Sequence, residues 1–204
     1  NTGAERSVVV KVVAANNKEL VAEYTITQNQ RYFMEYTSEG GYTVSPYNSS
    51  AFDATIIRNE YIDGKGYIDF DAPITSIGDN AFRDCFSLTS ITIPDSVTSI
   101  GDNAFYGCTS LTSVAIPDSV TSIGEKAFYD CLSLTSVYIT DIAAWCNISF
   151  GDYYSNTLRH GANLYLNNEL VTDLIIPDIV TSIGDYAFSY CRSLTSVTIP
   201  DSVT

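Results

Sequence analysis

The one histidine of the chain, His160, stands in the stretch NTLRHGAN, where an imidazole could act as a general base with Asp152 or a nearby hydroxyl as its partner. Hydrolytic chemistry of that kind also needs a nucleophile on a sharp turn, and no GxSxG or comparable signature occurs. A solvated loop histidine needs no such company. The five cysteines are the next reactive groups. Cys85, Cys108 and Cys131 recur every 23 residues, and Cys191 holds the same place in a later unit. Side chains stacked at a strand spacing of ~4.8 Å point the same way, which keeps their Cβ atoms beyond the ~3.8 Å that a disulfide prefers. Each closes an apolar turn, so a ladder of buried free thiols is expected, with Cys146 in the core beside Trp145. No CxxC pair is present, which argues against zinc.

Carboxylates recur in two columns. Asp95, Asp118, Asp178 and Asp201 follow prolines, and Asp79, Asp102, Glu125 and Asp185 precede a second turn. Calcium needs about six to eight oxygens around one centre, whereas a column offers one per unit. Turn and cap duties are the simpler reading. No catalytic residue, cofactor or metal is expected, and the chain is not expected to be an enzyme.

What must position these groups is a repeat. LTSITIPDSVTSIGDNAFYGCTS, Leu88–Ser110, is followed at once by LTSVAIPDSVTSIGEKAFYDCLS, Leu111–Ser133. The units run 65–87, 88–110, 111–133, an irregular 134–170, 171–193 and a partial 194–204. A fixed period of this size marks a solenoid, in which each unit buries its apolar face against its neighbours. Leu88, Ile91 and Ile93 read as the inward side of a short strand. Pro94-Asp95-Ser96 reads as a turn, Val97 and Ile100 as a second extended stretch, and Gly101-Asp102 as the start of a helical turn that tucks Ala104, Phe105 and Cys108 inward. The irregular unit adds a helical turn after Asp141 and a hairpin across Asn167-Asn168.

The motif LTSITIPDSVTSIGDNAFYGC resembles the BspA-like, Treponema-type class of leucine-rich repeat found in bacterial surface proteins. The resemblance covers residues 65–204 and implies a β-rich (α+β) leucine-rich-repeat solenoid of ~23-residue coils with short helical turns. It also implies a secreted or cell-surface location, in gut Bacteroidetes, and a role in adhesion. The Asp-Ser-Val triplets at 95–97, 118–120 and 201–203 resemble O-glycosylation acceptors of secreted proteins in that group.

Residues 7–13 and 20–27 read as two strands joined by AANNKE. Residues 1–29 are similar to the last strands of the immunoglobulin-like BACON module, and are either the end of such a β-sandwich or the first strands of a cap. Short strands are expected at YFMEYT, GYTVSP, DATIIR and YIDF, and 30–64 is read as an all-β cap over the first coil. The abrupt beginning in NTGAERSVVV and the end in mid-repeat are read as cuts from a longer protein.

Recognition in a solenoid falls to outward residues. Two surfaces qualify. One is the hydroxyl-rich strand face of Thr89, Ser90, Thr92, Thr112, Ser113, Ala115, Thr135, Ser136, Tyr138, Thr195, Ser196 and Thr198. The other is a tyrosine edge, Tyr106, Tyr129, Tyr186 and Tyr190, to which Tyr153, Tyr154 and Tyr165 of the irregular unit add. Tyrosines suit protein partners and sugar rings alike, and they equally shield coil edges. The insertion, 147–166, is the expected contact segment.

The net charge is −14, and residues 71–204, with four basic and fifteen acidic side chains, carry −11 of it. That field repels nucleic acid and anionic membranes, and no apolar run is long enough to span a bilayer. The partners that the resemblance implies are host extracellular or cell-surface proteins, with glycans as a second class. The function it implies is non-enzymatic adhesion, with a carbohydrate-binding accessory module of a larger protein as the alternative.

Overall fold

The computed structural model describes residues 6–13, 20–28 and 31–204. The chain divides into two units after Tyr32. In the first, β1 (Arg6–Val13) and β2 (Leu20–Gln28) form an antiparallel ladder from Arg6↔Gln28 to Val13↔Leu20, with a bulge at Val12/Val13. The AANNKE connection lies outside the described residues.

The second unit begins with β3 (Tyr32–Ser38) and a 3-10 turn at Glu39–Gly41. β4 (Ile56–Ile62) and β5 (Lys65–Phe70) form a hairpin across Asp63 and Gly64, both at positive φ. The expected strand at GYTVSP does not form. Val44 gives its N–H to Tyr36 Oη at 3.0 Å, and its carbonyl accepts from Asn59 Nδ2 at 2.9 Å, so side chains take the bonds a neighbouring strand would supply. The strand anticipated at DATIIR starts only at Ile56, because Asp53 is engaged elsewhere. Its carboxylate accepts from the Thr75 N–H and hydroxyl and from Ser76 N.

From Leu88 the chain coils. β7 (Leu88–Thr92), β9 (Ser113–Ala115), β11 (Ser136–Ile139) and β13 (Asn163–Leu166) stack in parallel on one side. β6 (Ser76–Ile77), β8 (Ser99–Ile100), β10 (Ser122–Ile123) and β12 (Ser149–Phe150) stack on the other. This is a β-solenoid with little helix, of ~23-residue coils. β3 lies antiparallel beside β7 and separates it from β5, so the strand of unit 65–87 does not stack directly on that of 88–110. β5 and β4 continue the sheet beyond β3. The second sheet is met by 48–53, through a Phe52↔Ile77 bridge and Gly78 N–H to Ala51 O at 2.6 Å.

Between the sheets the repeat stacks like on like. Phe82, Phe105 and Phe128 are buried, with centroids 5.3 and 5.0 Å apart in near-parallel pairs. Burial of such a side chain contributes about 1.5–3 kcal/mol. The thiols follow: Cys108 donates to Phe82 O at 3.0 Å and Cys131 to Phe105 O at 3.2 Å. All five cysteines are free. Burial pushes the Cys85 thiol up to about 11 and Cys131 to about 12.

The helical turn expected at 102–108 takes the form of consecutive i→i−3 turns. Ala104, Tyr106 and Cys108 donate back to Gly101, Asn103 and Phe105. The intervening Asn103, Phe105 and Gly107 instead donate to Glu125, Ala127 and Tyr129 of the next coil. A helix would turn every N–H inward along its own axis; here half of them hold the stack together. The geometry needs left-handed residues, Asn103 (φ 54) and Gly107 (φ 71) in this coil, and Asn80 (φ 59) and Asp84 (φ 55) in the one before.

Candidate binding site

The Gly-Asp pairs show how the turn edge is built. Asp102 Oδ1 accepts from Glu125 N of the following coil at 2.7 Å, and Asp79 Oδ1 accepts from Asp102 N at 2.9 Å. These carboxylates cap the neighbouring coil and not, as the sequence implied, their own turn. A Cβ on Gly124 would meet Asp102 Oδ1 at 2.4 Å, so the glycine makes room for the cap of the coil before it. In the other column Asp118 accepts from Thr140 Oγ1 at 2.7 Å. Among the described residues, no group of three or more His, Cys, Asp or Glu converges as a metal would require.

The irregular unit departs from this scheme. Asp141 caps α1 (Ile142–Cys146), accepting from Ala143 N at 2.7 Å. β13 then turns back into β14 (Glu169–Leu170) across Asn167 (φ 53) and Asn168 (φ 68). β15 (Asp173–Ile175) and β16 (Ser196–Thr198) form a separate parallel pair. Between this unit and the next, one backbone bond, Gly184 N–H to Cys146 O at 2.7 Å, is joined by side chains: Trp145 Nε1 donates to Ala187 O at 3.0 Å, and Asn156 Nδ2 donates to Tyr186 O. Trp145 and Cys146 are both in the core.

Six of the eight singled-out tyrosines form one continuous strip along the turn edge. Tyr106 stacks on Tyr129 (5.5 Å), Tyr129 meets Tyr154 edge-on (5.2 Å), Tyr154 meets Tyr153 (5.3 Å), and Tyr153 touches Tyr186 (6.1 Å) and Tyr190 (5.6 Å). The hydroxyls of Tyr153 and Tyr190 also meet. Tyr138 and Tyr165 are not part of it. They stack on each other at 5.0 Å on the adjacent strands β11 and β13, beside a shallow groove of about 360 Å³ that Tyr138, Asn167, Asn168 and Asp95 help to line.

Two cations are built into the strip. The Arg83 guanidinium lies 5.1 Å from the Tyr106 centroid. Arg159 stands over three rings: Tyr154 at 4.1 Å, Tyr129 at 5.0 Å and Tyr153 at 5.2 Å. Its Nη1 is buried without a hydrogen-bond partner, so ring faces hold this guanidinium. Sequence reasoning passed over both arginines. Their signal was rarity, since residues 71–204 contain only four basic side chains.

Tyr186 (φ 67) and Tyr190 (φ 64) occupy the left-handed positions that Asn103 and Gly107 fill three units earlier. A residue with a Cβ loses about 1–2 kcal/mol there. A bulky ring in that conformation is an outlier that points to use.

His160 Nε2 is buried and unbonded, and burial followed by Arg159 pushes its pKa down against the pull of Asp130. Asp152, weighed as its partner, instead accepts from Lys126 N at 3.1 Å and Tyr154 N at 2.9 Å. The strand-face hydroxyls also have internal duties: Thr112 and Thr135 Oγ1 donate to Thr89 O and Thr112 O at 3.1 and 3.2 Å. Ser96 and Ser119 of the Asp-Ser-Val triplets donate to Ile74 O and Val97 O at 2.7 and 2.6 Å.

The family model described as the BspA type leucine-rich repeat region matches residues 67–158 and 159–204, in six copies. The chain belongs to this family. No curated protein matches it. Among solved structures it is similar to a leucine-rich repeat protein from Bacteroides ovatus, at 30% identity over 88% of this chain and 42% of that one, with a TM-score of 0.43. A leucine-rich cell surface protein from Faecalibacterium prausnitzii gives 33% identity over 87% and 44%, with a TM-score of 0.39. The T. pallidum leucine-rich repeat protein gives 23% identity over 69% and 67%, with a TM-score of 0.40. The chain thus spans less than half the length of the first two. Solenoids of the BspA type are typically non-enzymatic binding scaffolds, and no helix of the described residues here is long and apolar enough to cross a membrane.

Proposed function

We propose that this BspA-type repeat chain is a non-enzymatic recognition protein, secreted or on the cell surface, that adheres to host proteins or other cells through the tyrosine strip. One observation carries the reading: six tyrosines from four different units converge on one edge, two of them in a backbone conformation that costs stability. Rings that only shielded coil edges would not need left-handed positions. On the strand face, by contrast, the hydroxyls of Thr89, Ser90, Thr112, Thr135, Thr195 and Ser196 are already bonded within the fold.

Binding of the chain to immobilised extracellular-matrix proteins, with and without EDTA, tests this. A hit that survives EDTA and weakens about tenfold or more when Tyr153 and Tyr154 are both changed to Ser supports the strip. Unchanged binding in that double variant removes it. The alternative, a carbohydrate-binding accessory module, is favoured by the Tyr138–Tyr165 pair and its groove. A hit confined to mucin-type glycans and lost in Tyr138→Ser would select it.

A further inference from the structure

The partner's chemistry can be narrowed, on the basis of the strip being the binding surface. Along its length rings alternate with guanidinium groups: Arg83 stands over Tyr106, and Arg159 stands among Tyr129, Tyr154 and Tyr153. Two of the four basic side chains in 71–204 are used in this way. The alternation stops at the next rings. Tyr186 and Tyr190 are 42% and 38% exposed, and among the described residues no arginine or lysine stands over either.

Electrostatics selects the sign of what completes the pattern. An aromatic face is attractive to a cation and repels an anion. The surroundings agree: residues 171–204 hold four acidic side chains and one basic one, within a chain of net charge −14. An anionic ligand would approach against that field, whereas a basic one is steered by it. Arg159 supplies the local precedent. Its guanidinium sits with Nη1 buried and without a hydrogen-bond acceptor, so the rings hold a cation here without a carboxylate on that nitrogen.

We propose that Tyr186 and Tyr190, with Tyr153, receive an arginine-bearing basic segment of a partner protein. The incoming guanidinium continues the ring–cation alternation one step past Arg159. Arginine is preferred over lysine because its planar, weakly hydrated group stacks on a ring. The strain at the two tyrosines fits the same role, since the earlier coils place Asn80 and Asp84, Asn103 and Gly107, and Lys126 and Asp130 at these positions, and no ring.

The test uses the whole chain and a fluorescent oligo-arginine peptide, with oligo-lysine and oligo-glutamate peptides of equal length beside it. Tyr186→Asn and Tyr190→Gly insert the residues that the 88–110 coil carries at the same positions, so they relieve strain and leave the net charge unchanged. The expected result is oligo-arginine binding about threefold or more tighter than oligo-lysine, no oligo-glutamate binding, and a loss of about fivefold or more in the double variant. Its melting temperature should rise, which separates lost rings from lost fold. Equal binding by the double variant, or tighter binding of oligo-glutamate, overturns the basic partner. If a matrix protein still binds and Tyr153→Ser/Tyr154→Ser abolishes it, the strip keeps its function and only this inference fails. If no protein or peptide responds to any strip variant, both fail.

Discussion

Residues 88–133 and 134–170 lie in the same solenoid and both pair by backbone with the coil before them, but they meet the unit after them with different groups. In the regular coils the backbone does the work: alternate N–H groups of each turn reach the next coil, and Asp79 and Asp102 cap the amide that follows. In the irregular unit Trp145, Asp152 and Asn156 extend side chains to bond the neighbouring units. The exposed tyrosines and Arg159 gather where this substitution occurs. A coil whose backbone is saturated by its neighbours presents a monotonous surface. A coil that joins the stack by side chains is free to carry an insertion, and the insertion is where distinct chemistry collects.

The largest test of that contrast is Trp145→Ala. It removes a fully buried indole and the one bond from that ring to Ala187, and should cost about 3–5 kcal/mol in denaturant unfolding. A loss below about 1 kcal/mol would mean that side chains do not hold the two units together. The corresponding change in a regular coil is Gly124→Ala, whose Cβ would lie 2.4 Å from Asp102 Oδ1 and 2.6 Å from Asp102 N. The expected cost is about 1–3 kcal/mol, since backbone cannot move aside as a flexible side chain can. Pairing it with Asp102→Ala in a double-mutant cycle sharpens the point. Much of the penalty should remain, because the backbone contact survives removal of the carboxylate.

The smallest effect concerns pH. Burial holds the His160 pKa below its ordinary 6.5, so the unfolded chain takes up a proton at higher pH than the folded one. The stabilising contribution is therefore complete above that ordinary value and is lost as pH falls from it through the lower folded-state pKa. Chemical unfolding of wild type and His160→Gln between about pH 7.5 and 5 should show the two curves converging on acidification, because the variant has no proton to take up. Parallel curves would place His160 in free solvent, as the sequence alone had suggested.

Much of the fold was written in periodicity. The 23-residue register placed Phe105 inward and the cysteines in a ladder of free thiols, while turn and capping chemistry gave the hairpin at Asn167-Asn168 and the helical turn after Asp141. These follow from local rules: which residues tolerate φ > 0, which side chains cap, and which are apolar at a fixed spacing. GYTVSP was misread as a strand because its alternation is real, while its hydrogen bonds go to Tyr36 and Asn59, distant in sequence.

The site divides the same way. The sequence by itself determined that tyrosines recur beside the turns and that the insertion adds three more. It could not say that Tyr153, Tyr154, Tyr186 and Tyr190 meet while Tyr138 and Tyr165 stack elsewhere, because that depends on how 151–162 folds back across the coil edge. Nor could it show that Arg159 sits among three rings or that Tyr186 and Tyr190 are left-handed. Register is a property of spacing and can be counted along a chain. Which ring faces remain open to a partner is a property of packing, and only the tertiary structure decides it.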